Sequence, residues 1–140
     1  VASRFPNLPP LPFAVGVPRV SSAKLYHVGE HQQLSESSSL RADKINISPG
    51  FYTTCEIIDF AEWLDSFGSN VVIMKIDIEG SEVELLEHLL NREIFSKLYV
   101  DKIFVETHER KVPQIREPLE NLKWRVRELG LQDKFYWDWH

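Results

Sequence analysis

The sequence predicts an α/β domain: a mixed sheet with flanking helices. Three observations carry this. The run Val71-Val72-Ile73-Met74-Lys75-Ile76 is apolar and rich in β-branched residues, and it ends in Asp77, Glu79 and Gly80. A helical pattern follows at once. A second such run, Lys102-Ile103-Phe104-Val105, again turns polar at its carboxyl end, with Glu106 and His108. Strand, helix and strand in this order read as a parallel pair with a crossover between them.

Along the chain, residues 1–12 hold Pro6, Pro9, Pro10 and Pro12 and read as an extended connector. Phe13 to Val17 reads as a short strand stopped by Pro18, and Ala23 to Val28 as a second one. Gly29 to Ser39 is polar and reads as a surface loop, suited either to a solvated connector or to a lid. Cys55 to Ile58 reads as a strand leading into a helix. That helix has Asp59 and Glu62 as a capping box, Phe60, Trp63, Leu64 and Phe67 on its apolar face, and Gly68 as its stop.

The Val71 strand, apolar throughout, suits burial on both faces. After it, Ser81 and Glu84 match the S-x-x-E capping pattern of a helix running to about Asn91, with Val83, Leu85, Leu86, Leu89 and Leu90 facing inward. The amides at its start, in the Glu79-Gly80 turn, can hold a negative ligand or the chain's own carboxylates. Lys102 to His108 is a further strand. Pro118 begins a last helix with Leu119, Leu122, Val126 and Leu129 on one face and Gly130 at its end, and Lys134 to His140 alternates as a terminal strand.

At 140 residues, one domain covering 1–140 is expected. The formal charge of −5 disfavours sequence-independent nucleic-acid binding, which needs a basic surface. No apolar run approaches the roughly 20 residues of a membrane helix, and no secretory signal is visible. Cys55 is the only cysteine, compatible with a reducing, cytoplasmic setting.

If the two strands pair in parallel, Asp77, Glu79, Glu106 and His108 converge at one sheet edge, where open α/β sheets bind ligands. Such a set can deprotonate a substrate hydroxyl, bind a divalent cation, or be solvated loop residues. His108 has no second histidine at ligand spacing, so no metal ligand is assigned. His27, His31, His88 and His140 read as surface or satisfied structural residues. The six glycines are isolated, which excludes a P-loop and a G-x-G-x-x-G turn, and there is no G-x-S-x-G elbow.

Lys75-Ile76-Asp77-Ile78-Glu79-Gly80-Ser81-Glu82, Leu85-Leu86 and Ile103-Phe104-Val105-Glu106-Thr107-His108 together resemble the second half of FkbM-type S-adenosylmethionine-dependent methyltransferases. Ala14-Val15, Lys24-Leu25-Tyr26, Ser38-Ser39-Leu40 and Ile58-Asp59 agree, so the resemblance spans about residues 13 to 139. It implies a Rossmann-like methyltransferase fold and methylation of a hydroxyl on a sugar or other small molecule. On that resemblance Asp77 and Ala14 border S-adenosylmethionine, Asp77 and Glu79 stand between donor and acceptor, His108 is the base, and Glu106 orients it or binds acceptor hydroxyls. The family's glycine-rich D-x-G-x-x-x-G turn is absent, so the expectation is a truncated fold, the C-terminal portion of a catalytic domain, with a Val71 strand open to dimerisation along its free edge. Two other functions fit the residues: a non-catalytic α/β binding or scaffold module, and a divalent-metal enzyme using Asp77, Glu79 and His108.

Overall fold

The computed structural model describes residues 14–17, 20–28, 37–67 and 70–137. The proline-rich connector, Gly68, most of the 29–39 loop and the last three residues of the expected terminal strand lie outside these. Strands β1 (Ala14–Gly16), β2 (Val20–Tyr26) and β3 (Tyr52–Asp59) form one sheet in the order β1-β3-β2. β3 is parallel to β1 and antiparallel to β2. A second sheet, β4 (Val71–Ile76), β5 (Val100–Val105) and β6 (Phe135–Trp137), is parallel throughout in the order β4-β5-β6. Helices α1 (Phe60–Phe67), α2 (Glu82–Asn91), α3 (Ile94–Lys97) and α4 (Arg116–Glu128) complete the architecture.

The core lies between the second sheet and the helices. Met74, Ile103 and Phe135 stand in one cross-strand row, and Ile76, Val105 and Trp137 in the next. Against these rows pack Ala61 and Leu64 of α1, Val83, Leu86 and Leu90 of α2, Ile94 of α3, and Leu119, Leu122 and Val126 of α4. Removing one such side chain costs about 2–5 kcal/mol, through lost transfer energy and the cavity left behind.

The opposite face of this sheet is open among the described residues. Ile73 is 61% exposed there, and Lys75, Lys102 and Tyr136 are exposed too, while Val72, on the same face as Met74 and Ile76, is 65% exposed beyond the reach of the helices. The expectation that the Val71 strand is buried on both faces is therefore corrected. β4 is an edge strand with helices on one side only, so its apolar run outlasts its burial.

Local chemistry sets the element ends. Asp59 caps α1 by accepting from the amides of Ala61 at 2.9 Å and Glu62 at 3.2 Å. α4 starts two residues before Pro118, after a 3₁₀ turn at Pro113–Ile115. The proline sits in the first turn, where its missing N–H has no helical partner to lose. Leu129 falls past the helix and is exposed rather than buried. Gly130, at φ 67, supplies the left-handed residue that ends it. β3 begins at Tyr52, earlier than expected, because it pairs with the whole of β2. No helix among the described residues is long and apolar enough to cross a membrane.

Candidate active site

β4 and β5 run in register, Ile76 opposite Val105, and the Glu106 amide donates to the Ile76 carbonyl at 3.0 Å just beyond the ladder. Asp77 and Glu106 therefore leave the sheet side by side. The chain then turns through two left-handed residues, Glu79 at φ 57 and Gly80 at φ 112. Glycine is required at the second, since a Cβ there would lie 2.7 Å from Cγ2 of Val112. The Ser39 hydroxyl closes the turn from outside, donating to the Glu79 carbonyl at 2.7 Å.

The carboxylate of Glu82 fills the turn from inside. Its Oε1 accepts from the amides of Gly80 at 3.0 Å and Ile78 at 3.2 Å. The amides that could have held an anionic ligand are thus taken by the chain itself. The capping box expected of Ser81 and Glu84 does not form. Ser81 makes no side-chain cap, and Glu84 faces outward to the Arg41 guanidinium. Glu82 already neutralises the helix start from a buried position, which leaves no role for a cap there.

The same Oε1 lies 2.7 Å from Nδ1 of His108. Glu82 and His108 are 1% and 3% exposed, so this is a buried contact. An ionised carboxylate only accepts, so Nδ1 carries the proton and Nε2 points the other way. Nε2 faces three carboxylates: Glu79 Oε2 at 3.3 Å, Glu106 Oε1 at 3.8 Å and Asp77 Oδ1 at 3.9 Å. The last two are beyond hydrogen-bond distance and Glu79 makes no hydrogen bond to it, so Nε2 is buried without a partner. Burial pulls the imidazole pKa down. The hydrogen bond and charge of Glu82, with the charge of Glu79, outweigh it and leave the pKa raised.

Lysines balance the cluster. Lys44, its side chain wholly buried, donates to Glu79 Oε2 and to the Ser37 carbonyl, each at 2.6 Å. Lys111 stands 3.6 Å from the same Glu79 oxygen, and Lys75 donates to Asp77 at 2.8 Å. All four residues expected to converge from sequence do so: Asp77, Glu79, Glu106 and His108. Ligand atoms of Asp77, Glu106 and His108 lie within 4.8 Å of one another.

Sequence reasoning missed Glu82 and Lys44. Glu82 looked like one more acidic residue in a helix's first turn. Lys44 comes from a loop without any pattern, and only the fold brings it 35 positions along the chain to Glu79.

Ala14 shares a wall with Asp77 and Glu79. A cleft of about 310 Å³ is lined by Ala14, Val15, Leu25, Ser38, Asp77 and Glu79, among others. It joins the first sheet to the acidic turn. Among the other histidines, His88 Nε2 pairs with the Asp59 carboxylate at 2.9 Å. His27 is buried, with Nδ1 2.9 Å from the Ser38 hydroxyl but Nε2 unpartnered, so it is structural yet only half satisfied. His31 and His140 lie outside the described residues.

No curated protein and no solved structure matches this chain. One family does: the methyltransferase FkbM domain matches residues 7–130. The mixed α/β arrangement of two small sheets and flanking helices is consistent with a Rossmann-like methyltransferase fold. With the match covering most of its length, and with the acidic strand end and turn at its centre, the chain belongs to the methyltransferase FkbM domain family.

Proposed function

We propose that the chain serves S-adenosylmethionine-dependent methylation of a hydroxyl on a small molecule or sugar. The observation that carries this reading is the orientation of His108. Glu82 fixes the Nδ1 proton, which leaves the basic Nε2 at the carboxylate cluster beside the cleft. S-adenosylmethionine, when bound, supplies an electrophilic methyl on sulfur. The cleft fits part of such a molecule. Its apolar lining from Ala14, Val15 and Leu25 suits an uncharged surface, and Asp77 and Ser38 offer polar contacts beside it.

In this account Glu106 and Asp77 accept hydrogen bonds from the acceptor's hydroxyls and hold its oxygen near Nε2. His108 takes the hydroxyl proton at Nε2 as the oxygen–carbon bond forms and the carbon–sulfur bond breaks. Glu79 and Glu82 stabilise the imidazolium so formed. Lys44 keeps Glu79 in place. In this reading these residues form the acceptor-side wall, with Ala14 and Asp77 on the donor border.

Calorimetric titration of the gene's full-length product with S-adenosylmethionine tests the donor border. Ala14→Trp fills the cleft and is expected to weaken binding about 10-fold or more. Unchanged affinity in both Ala14→Trp and Asp77→Asn would remove the cleft from the donor site. The reading of the open β4 edge as a self-association surface is tested separately. Val72→Lys with Ile73→Lys is expected to lower the sedimenting mass, and an unchanged mass contradicts it.

A further inference from the structure

The carboxylate cluster presents an arrangement that proton transfer alone does not require. His108 is almost fully buried, its ring is pinned through Nδ1 by Glu82, and its Nε2 is aimed without a hydrogen-bond partner at Asp77 and Glu106. When Nε2 carries no proton, the imidazole turns a lone pair toward carboxylate oxygens, and a cation there competes with the proton that the same carboxylates favour. Lone pairs from three side chains facing one small volume repel one another, and a cation between them turns that repulsion into attraction.

We propose that Asp77, Glu106 and His108 form a binding site for a divalent cation, ligated through Asp77 Oδ1, Glu106 Oε1 and His108 Nε2. The distances suit it. Nε2 lies 3.9 Å from the first oxygen and 3.8 Å from the second. With metal–ligand bonds of about 2.0–2.6 Å, donors in one coordination shell lie about 3–5 Å apart. The three donors therefore surround a cation with little movement. The Glu82–His108 contact is the carboxylate–histidine arrangement that orients a ligating imidazole and fixes its tautomer.

Chemistry narrows the choice of cation. Two carboxylates with one imidazole suit a cation that accepts both oxygen and nitrogen, such as Mn²⁺, better than one that demands oxygen alone. Glu79 is left out of the ligand set although it approaches Nε2 at 3.3 Å. The buried Lys44 and nearby Lys111 already occupy its charge. Lys75 competes for Asp77, but it is half-exposed on a flexible stem and can swing into solvent.

The site does not depend on methyl transfer, although it shares residues with the reading above. The base role proposed above belongs to the cation-free site, since a ligating lone pair cannot also take a proton. With a cation in place, the cation rather than the imidazole would lower the pKa of an acceptor hydroxyl bound to it.

The test is titration of the chain with Mn²⁺, without methyl donor or acceptor, following the paramagnetic resonance signal of free Mn²⁺. Loss of the free signal at one equivalent is expected. Glu106→Gln and Asp77→Asn, which are partly exposed at strand ends and keep their shape, should each weaken binding about 10- to 100-fold. Lys75→Ala should tighten it, by releasing Asp77. Circular dichroism confirms that each variant is folded. A wild-type chain that leaves the Mn²⁺ signal unchanged, or Glu106→Gln and Asp77→Asn that bind as the wild type does, would overturn the site and leave His108 as the base.

Discussion

Nδ1 of His108 lies 2.7 Å from Oε1 of Glu82, and this buried contact ties the end of β5 to the start of α2. The same oxygen accepts from the amides of Gly80 and Ile78, so one carboxylate organises the acidic turn, the helix start and the imidazole. Removing it strands all three. Glu82→Ala is expected to lower stability by about 3 kcal/mol, because it leaves the buried imidazole N–H and the amides of Gly80 and Ile78 without an acceptor. Glu82→Gln, which keeps one acceptor oxygen, should cost less. Urea denaturation of both variants checks this, and a loss below about 1 kcal/mol in Glu82→Ala would contradict the organising role.

Gly80 allows the turn to close. At φ 112 an added Cβ meets both an unfavourable backbone region and Val112 Cγ2 at 2.7 Å. Gly80→Ala is expected to destabilise by about 2 kcal/mol or more. The further variant Val112→Ala in that background relieves the clash but not the backbone strain. It should restore only part of the loss, measured by thermal or urea unfolding.

Lys44 and Glu79 form a pair with one partner fully enclosed. Lys44→Met leaves the Glu79 carboxylate close to Asp77 and Glu106 without its nearest cation, and a cost of about 3 kcal/mol is expected. Lys44→Met with Glu79→Gln should cost less than the sum of the single changes, because the pair acts as a unit. A double-mutant cycle in urea measures the difference, and strict additivity would show that the two do not interact.

Asp59 gives the fold an acid-sensitive joint. Burial raises its pKa, but the hydrogen bond from His88, with the amides of Glu62 and Ala61, outweighs this and holds the carboxyl below its ordinary value. A depressed folded pKa means a contribution fully present above the unfolded pKa of about 3.9 and lost as pH falls through the folded value. Unfolding free energy should therefore fall below about pH 4, and more gently in Asp59→Asn. Equal slopes in the two proteins would contradict the assignment.

Much of this was legible in the sequence. The periodicity of Val71 to Ile76 and Lys102 to Val105 placed two parallel strands, and their common polar ends placed Asp77, Glu79, Glu106 and His108 at one edge. Local patterns could not show which buried side chains answer one another. Ser81 and Glu84 matched a capping box, yet Glu82 took the turn's amides, because the choice depends on which carboxylate faces the core. The apolar run of β4 suggested two buried faces, while the number of helices covering the sheet is a tertiary property. Lys44 reached Glu79 through a loop whose course no periodicity encodes.

On the proposed function, His108 Nε2 stands where the acceptor hydroxyl reacts. This is tested most directly by transfer of a labelled methyl group from S-adenosylmethionine to hydroxylated acceptors, catalysed by the gene's full-length product and by its His108→Ala variant. A fall of about 10²- to 10⁴-fold in the rate of methyl transfer is expected, with affinity for S-adenosylmethionine little changed. Methyl transfer by His108→Ala at the wild-type rate would contradict it.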